Sequence, residues 1–142
     1  MGVNLIGSWR LLKMESVDSR GNLLLPWGEK IDGLLIYDRE GYMSLQIARL
    51  DLDQSSSESF HSYFGTFQID QADGRVLHRV LYALRNDWNG RTQERAYSVN
   101  GDRLTLKSPP LNLETYTELR SVLTYWQRIK HPMSALTDRI DG

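Results

Sequence analysis

Gly33-Leu34-Leu35-Ile36-Tyr37-Asp38-Arg39-Glu40-Gly41-Tyr42-Met43-Ser44 holds two β-rich runs joined by four residues that end in glycine. Asp38 to Gly41 reads as a type I turn closed by a left-handed residue, a common hairpin connection. That turn sets Tyr37 opposite Met43 and Leu35 opposite Leu45, so one face of the hairpin is apolar. The same grammar recurs along the chain. Gln71-Ala72-Asp73-Gly74 is a second tight loop with glycine last, and Asn100-Gly101 is a two-residue hairpin signal.

Runs of period two predict eight strands, near 7–17, 33–38, 42–48, 63–69, 75–84, 92–99, 102–107 and 119–129. Two stretches read as helical: the polar, Ser-rich Asp53 to His61, and Pro132 to Ile140, where proline suits a first helical position. Tight turns at 38–41, 71–74 and 100–101 alternate with longer connections at 18–32, 49–62, 85–91 and 108–118. In an up-and-down order, all the tight turns fall at one end and all the long loops at the other. Eight such strands close into a barrel wide enough for side chains or one small ligand. The expected fold is therefore an all-β, eight-stranded antiparallel up-and-down barrel with a short C-terminal helix. It has a closed base, and a mouth at the long loops.

The 142 residues fit a single domain, 1–142. Absence of cysteine excludes a disulfide framework and thiolate metal sites. No His-X-His or His-Glu-X-X-His occurs, and Asp51-Leu52-Asp53 lacks the glycine and glutamate of a calcium loop, so no metal is expected. With 17 basic and 18 acidic residues interspersed, nothing favours nucleic acid. No run approaches the length of a membrane span, no signal peptide is visible, and position 6 is Ile6, which disfavours myristoylation of Gly2. The expected location is the cytoplasm, with no membrane insertion. The oligomeric state is open.

Hairpin registers predict which side chains enter the barrel. Around Asn100-Gly101, Val99 pairs with Asp102, Tyr97 with Leu104 and Arg95 with Leu106. Glu94 with Lys107 belongs in water, so Arg95 points inward. Around Gly74, a four-residue loop pairs Phe67 with His78, Ile69 with Val76 and Tyr63 with Tyr82, placing these inside. A three-residue loop turns His78 outward instead.

The chain opens its first strand with Gly7-Ser8-Trp9-Arg10-Leu11 and ends its last with Trp126-Gln127-Arg128. Gly-X-Trp and a terminal-strand arginine resemble the marks of the lipocalin superfamily. The segments 33–37, 41–44, Tyr63-Phe64-Gly65-Thr66-Phe67, Val76-Leu77-His78, Trp88-Asn89-Gly90, Gln93-Glu94-Arg95 and 102–106 extend the likeness to the bacterial and fungal lipocalin-like domain family, a calycin-type barrel. The resemblance covers about residues 5–130. It implies that Arg128 packs over Trp9 to close the base. It also implies an interior that binds small apolar molecules, with some related barrels acting as cyclases or isomerases in natural-product pathways.

If Trp9 points inward, strict alternation takes Leu11, Lys13 and Glu15 inward too. With His78, Gln93 and Arg95 from the opposite wall, they form a polar set in a small barrel. Buried charges are costly unless paired. The set is either a satisfied internal network or a belt contacting a ligand's carbonyl, carboxylate or hydroxyl. Tyr37, Tyr63, Phe67, Tyr82 and Trp126 would supply the apolar walls. His78 or Glu15 can move a proton if the barrel is a cofactor-free cyclase or isomerase. Haem ligation by His78 has no other support, so no cofactor is expected. His61 and His131 read as solvated. Leu23-Leu24-Leu25-Pro26-Trp27 in the first long loop is either a lid or ordinary core at the barrel end. The leading expectation is binding of one small, mostly apolar molecule with an oxygen acceptor, in an internal cavity with His78 and Arg95 on its wall. The alternatives are the cyclase or isomerase and a filled-core structural module.

Overall fold

The computed structural model describes residues 4–52, 59–112 and 119–130. The strands are β1 (Gly7–Val17), β2 (Leu23–Leu24), β3 (Ile31–Tyr37), β4 (Tyr42–Arg49), β5 (Phe60–Asp70), β6 (Arg75–Ala83), β7 (Thr92–Asn100), β8 (Arg103–Lys107), β9 (Leu111–Asn112) and β10 (Leu119–Arg128). Their order is β2-β1-β3-β4-β5-β6-β7-β8-β10-β9, and β1 pairs with β10 to close the wall. Eight long strands thus form the expected antiparallel barrel, with β2 and β9 as two-residue additions. Every neighbouring pair is antiparallel, so the connections after β1, β4, β6 and β8 leave from one end and the tight turns close the other.

Phe60 and His61 belong to strand β5 and not to a helix; the rest of the expected 53–61 helix, at 53–58, lies outside the described residues, as does the C-terminal helix. The pairings of Tyr37 with Met43, Phe67 with His78 and Ile69 with Val76 are as expected. In the β7–β8 hairpin, Val99 pairs with Leu104 and Tyr97 with Leu106. This register is two residues on from the expected one, a full strand period, so every side chain keeps its face. The loop is Gly101-Asp102, and the Asp102 carboxylate is drawn to Lys130 at 2.6 Å and Arg128 at 3.4 Å. Lys107 now lies opposite Ala96, and the carboxylate of Glu94 pairs with Arg75 outside the barrel.

At the closed end Trp9 and Trp126 are completely buried. The Arg128 guanidinium lies 4.2 Å from the centre of the Trp9 ring and donates to the Ile6 and Asn4 carbonyls at 2.7 Å each. Gly7 makes this approach possible, since a Cβ there would stand 3.0 Å from Arg128 Nη1. The indole N–H of Trp9 donates to the Leu5 carbonyl, so the buried indole donor is satisfied. Leu35, Val76, Val80 and Leu104 fill the space above it.

Candidate functional site

Three elements bring a polar triad into the apolar interior. Strand β6 carries His78 on its inward face, opposite Phe67 and Gln93, and the imidazole is completely buried. Tyr37, the last residue of β3, reaches Nε2 at 2.6 Å, and Tyr63 on β5 reaches Nδ1 at 2.7 Å. Burial dominates the electrostatics. It pushes the His78 pKa down to about 3 and that of Tyr63 up to about 12, and it raises Tyr37 well above the ordinary phenol range. All three groups are therefore neutral near pH 7.

A neutral imidazole has one N–H and one lone pair. One tyrosine must donate to the bare nitrogen, while the other accepts from the N–H. The accepting tyrosine keeps its own O–H hydrogen, which the triad does not use. Whichever ring nitrogen carries the proton, one hydroxyl donor remains uncommitted within the triad.

Arg95 lies on the same inward face, opposite Val76 and one row from the His78–Gln93 pair, and is half-buried. Its positive charge adds to the lowering at His61 and His78 and opposes the rise at Tyr37 and Tyr63, so the guanidinium acts on each of these four groups. From the mouth, Trp27, His61 and Trp88 approach the triad as a run of edge and tilted ring contacts. His61 lies 6.1 Å from Trp27 and 4.9 Å from Trp88, and Trp88 lies 5.9 Å from Tyr63. Deeper in, Phe67 leans on Tyr37 at 4.7 Å.

Of the residues expected inside, the structure gathers His78, Tyr37, Tyr63, Phe67, Gln93 and Arg95 in the barrel's middle. Trp126 also faces inward but belongs to the base, where its N–H donates to Thr124. Lys13 and Glu15 do not face inward. A bulge between Leu11 and Lys13 inserts one residue and reverses the alternation, so Met14 and Ser16 point into the barrel. Lys13 is exposed beside the Tyr125 ring, and Glu15 accepts a hydrogen bond from the Tyr125 hydroxyl at 2.7 Å. That bond holds the Glu15 carboxyl below its usual range, leaving it no part in interior acid–base chemistry.

Tyr82 is likewise displaced. A bulge in β6 sets it opposite Phe64 on the outer wall, 65% exposed, while Ala83 takes the expected place opposite Tyr63. His61, expected in solvent, is an interior group whose pKa burial lowers to about 4. Its place in β5 opposite the buried Ile47 was hidden by the polar sequence before it. Arg120 was also missed. It is buried against Ser16, donates to the Asn22 carbonyl at 2.7 Å and has Asp18 at 3.7 Å, so its charge is spent on bracing the mouth. Leu23, Leu24 and Leu25 face outward, and of the 23–27 stretch Trp27 packs against the core.

The described surface includes two hollows on the outside of the wall. One, of about 190 Å³, lies beside Leu12, Lys13 and Leu25; the other, of about 290 Å³, lies beside Arg10, Gln46 and Phe60. Neither is lined by His78 or Arg95, so the expected cavity bearing those two residues is not one of them. Among the described residues no group of three or more His, Asp or Glu side chains is placed to hold a metal ion.

The model of the lipocalin-like domain family matches residues 6–129, nearly the whole chain. No curated protein matches it.

Proposed function

From the premise that the chain belongs to the lipocalin-like domain family, we propose that its barrel binds one small, mostly apolar molecule through an oxygen acceptor. The observation that carries this reading is the uncommitted hydroxyl proton of the Tyr37–His78–Tyr63 triad. A buried donor without a partner is costly, and a ligand oxygen removes that cost. Trp27 and Trp88 are half-buried and borne on connections between strands, so they are the side chains a ligand displaces on its way in.

A second reading, a filled barrel serving as a structural or interaction module, draws on the complete burial of His78 and its hydrogen bonds to both Tyr37 and Tyr63. The cyclase or isomerase reading has less support. A histidine whose pKa is held near 3 is a weak base at neutral pH, and Glu15 is on the other side of the wall.

Native mass spectrometry of the purified chain separates the first two readings. Ligand binding predicts a copurifying small molecule whose displacement changes Trp27 and Trp88 fluorescence. His78→Ala should weaken its binding at least about tenfold, ~1.4 kcal/mol. A bare mass, with fluorescence insensitive to every apolar carbonyl compound tried, supports the filled barrel instead.

A further inference from the structure

Arg95 differs from the other inward-facing arginines in what meets its charge. Arg49 has Asp51, Arg120 has Asp18 and Arg128 has Asp102 within ion-pairing distance. Among the described residues Arg95 makes one hydrogen bond, from Nη1 to the backbone carbonyl of Glu94 at 2.8 Å, and no carboxylate forms an ion pair with it. The Glu94 carboxylate, its neighbour in sequence, faces outward to Arg75. A guanidinium offers five N–H donors in a planar fork, so most of this donor capacity is unspent. The neutral triad and the neutral His61 supply no counter-charge.

We propose that the ligand is a monoanion, an aromatic carboxylate whose oxygens are gripped by Arg95 while its planar body lies among Trp27, His61 and Trp88. This rests on the reading of the barrel as a binding interior. Three features select that class. A single uncompensated cation matches a single negative charge; a phosphate dianion leaves one charge unmet in a low-dielectric space, and a neutral ketone leaves Arg95 unmet. The guanidinium fork matches the two oxygens of a carboxylate, and the triad's spare hydroxyl is a further donor to either of them. The flat faces and edges of Trp27, His61, Trp88 and Tyr63 suit a ring system better than a branched aliphatic body.

The test is a fluorescence titration of the full chain with 2-naphthoate and with its methyl ester, which share a ring system and differ in charge. The acid should bind at least about tenfold more tightly than the ester. Arg95→Gln should abolish that preference while leaving the ester's affinity within about twofold, which also shows that the variant is folded. An ester that binds as well as the acid, or a preference that survives Arg95→Gln, overturns the assignment of an anion and leaves the binding reading standing. Failure of both compounds to bind the parent chain overturns the two together.

Discussion

Arg128 and Arg95 are both half-buried arginines on inward faces among aromatic rings, yet the barrel treats them differently. Arg128 is used up: a ring face, two backbone carbonyls and a carboxylate surround its guanidinium. Among the described residues Arg95 has one carbonyl. The same contrast runs through the donors around them. At the base, the indoles of Trp9 and Trp126 each have an acceptor, whereas the Tyr37–His78–Tyr63 triad ends its hydrogen bonding with one proton in hand. A region built for closure satisfies its polar groups internally, and a region that leaves capacity over gives up stability for binding. Four substitutions and titrations put that division at risk.

The largest effect belongs to the base. Trp9→Ala should cost ~3–5 kcal/mol in urea denaturation, the range for deleting a large buried aromatic side chain. A variant as stable as the parent breaks the assignment of this end as the structural one.

Acid should strike the middle before the base. The His78 and His61 pKa values are depressed to about 3 and about 4, against an unfolded value near 6.5. The unfolded chain therefore binds more protons below that value. The stability these neutral rings contribute is complete above about pH 6.5 and falls as the pH drops toward the folded values. His78 alone accounts for roughly 2–3 kcal/mol of loss by pH 4.5, most of it above the range where the carboxylates titrate. Stability measured against pH should flatten in this window in His78→Phe; an unchanged slope means that another group carries it.

Removing one triad hydroxyl has a smaller effect. Tyr63→Phe leaves a ring nitrogen of His78 without its partner and should cost ~1–3 kcal/mol by thermal denaturation. A value near zero means the bond contributes nothing beyond packing. The smallest effect sharpens the comparison most. Arg95→Met should change the stability of the ligand-free chain by no more than ~0.5 kcal/mol, or raise it, because an uncompensated charge disappears. A loss on the scale of Tyr63→Phe would make Arg95 as structural as Arg128.

Much of this was legible in the chain itself, and the reason lies in local chemistry. The turns at Gly41 and Gly74 declare their own geometry, so the faces of Tyr37, Phe67 and His78 follow from a few residues each. Even the two-residue error at Asn100-Gly101 was harmless, because side chains repeat with that period. The losses came from the two bulges, each of which shifts alternation by one and turns expected wall residues outward. Lys13 and Glu15 carry no local mark of it, since polar side chains suit either side of a small barrel. For Tyr82 there was a mark. Gly65 sits mid-strand, and a Cβ there would lie 1.9 Å from the Arg79 carbonyl, so this glycine records how closely β5 and β6 approach beside the bulge. The proton count of the triad was out of reach because it depends on Tyr37 and Tyr63 converging from separate strands on one imidazole.

The bulges also set where this wall tolerates a change in length. Leu12 and Leu81 are the supernumerary residues, skipped by the pairing and exposed, with the inward series resuming beyond them at Met14 and Ala83. Deleting one residue from a regular strand turns everything downstream inside out. Deleting Leu12 or Leu81 straightens the strand and leaves every core side chain on its own side, so chains one or two residues shorter can share this interior.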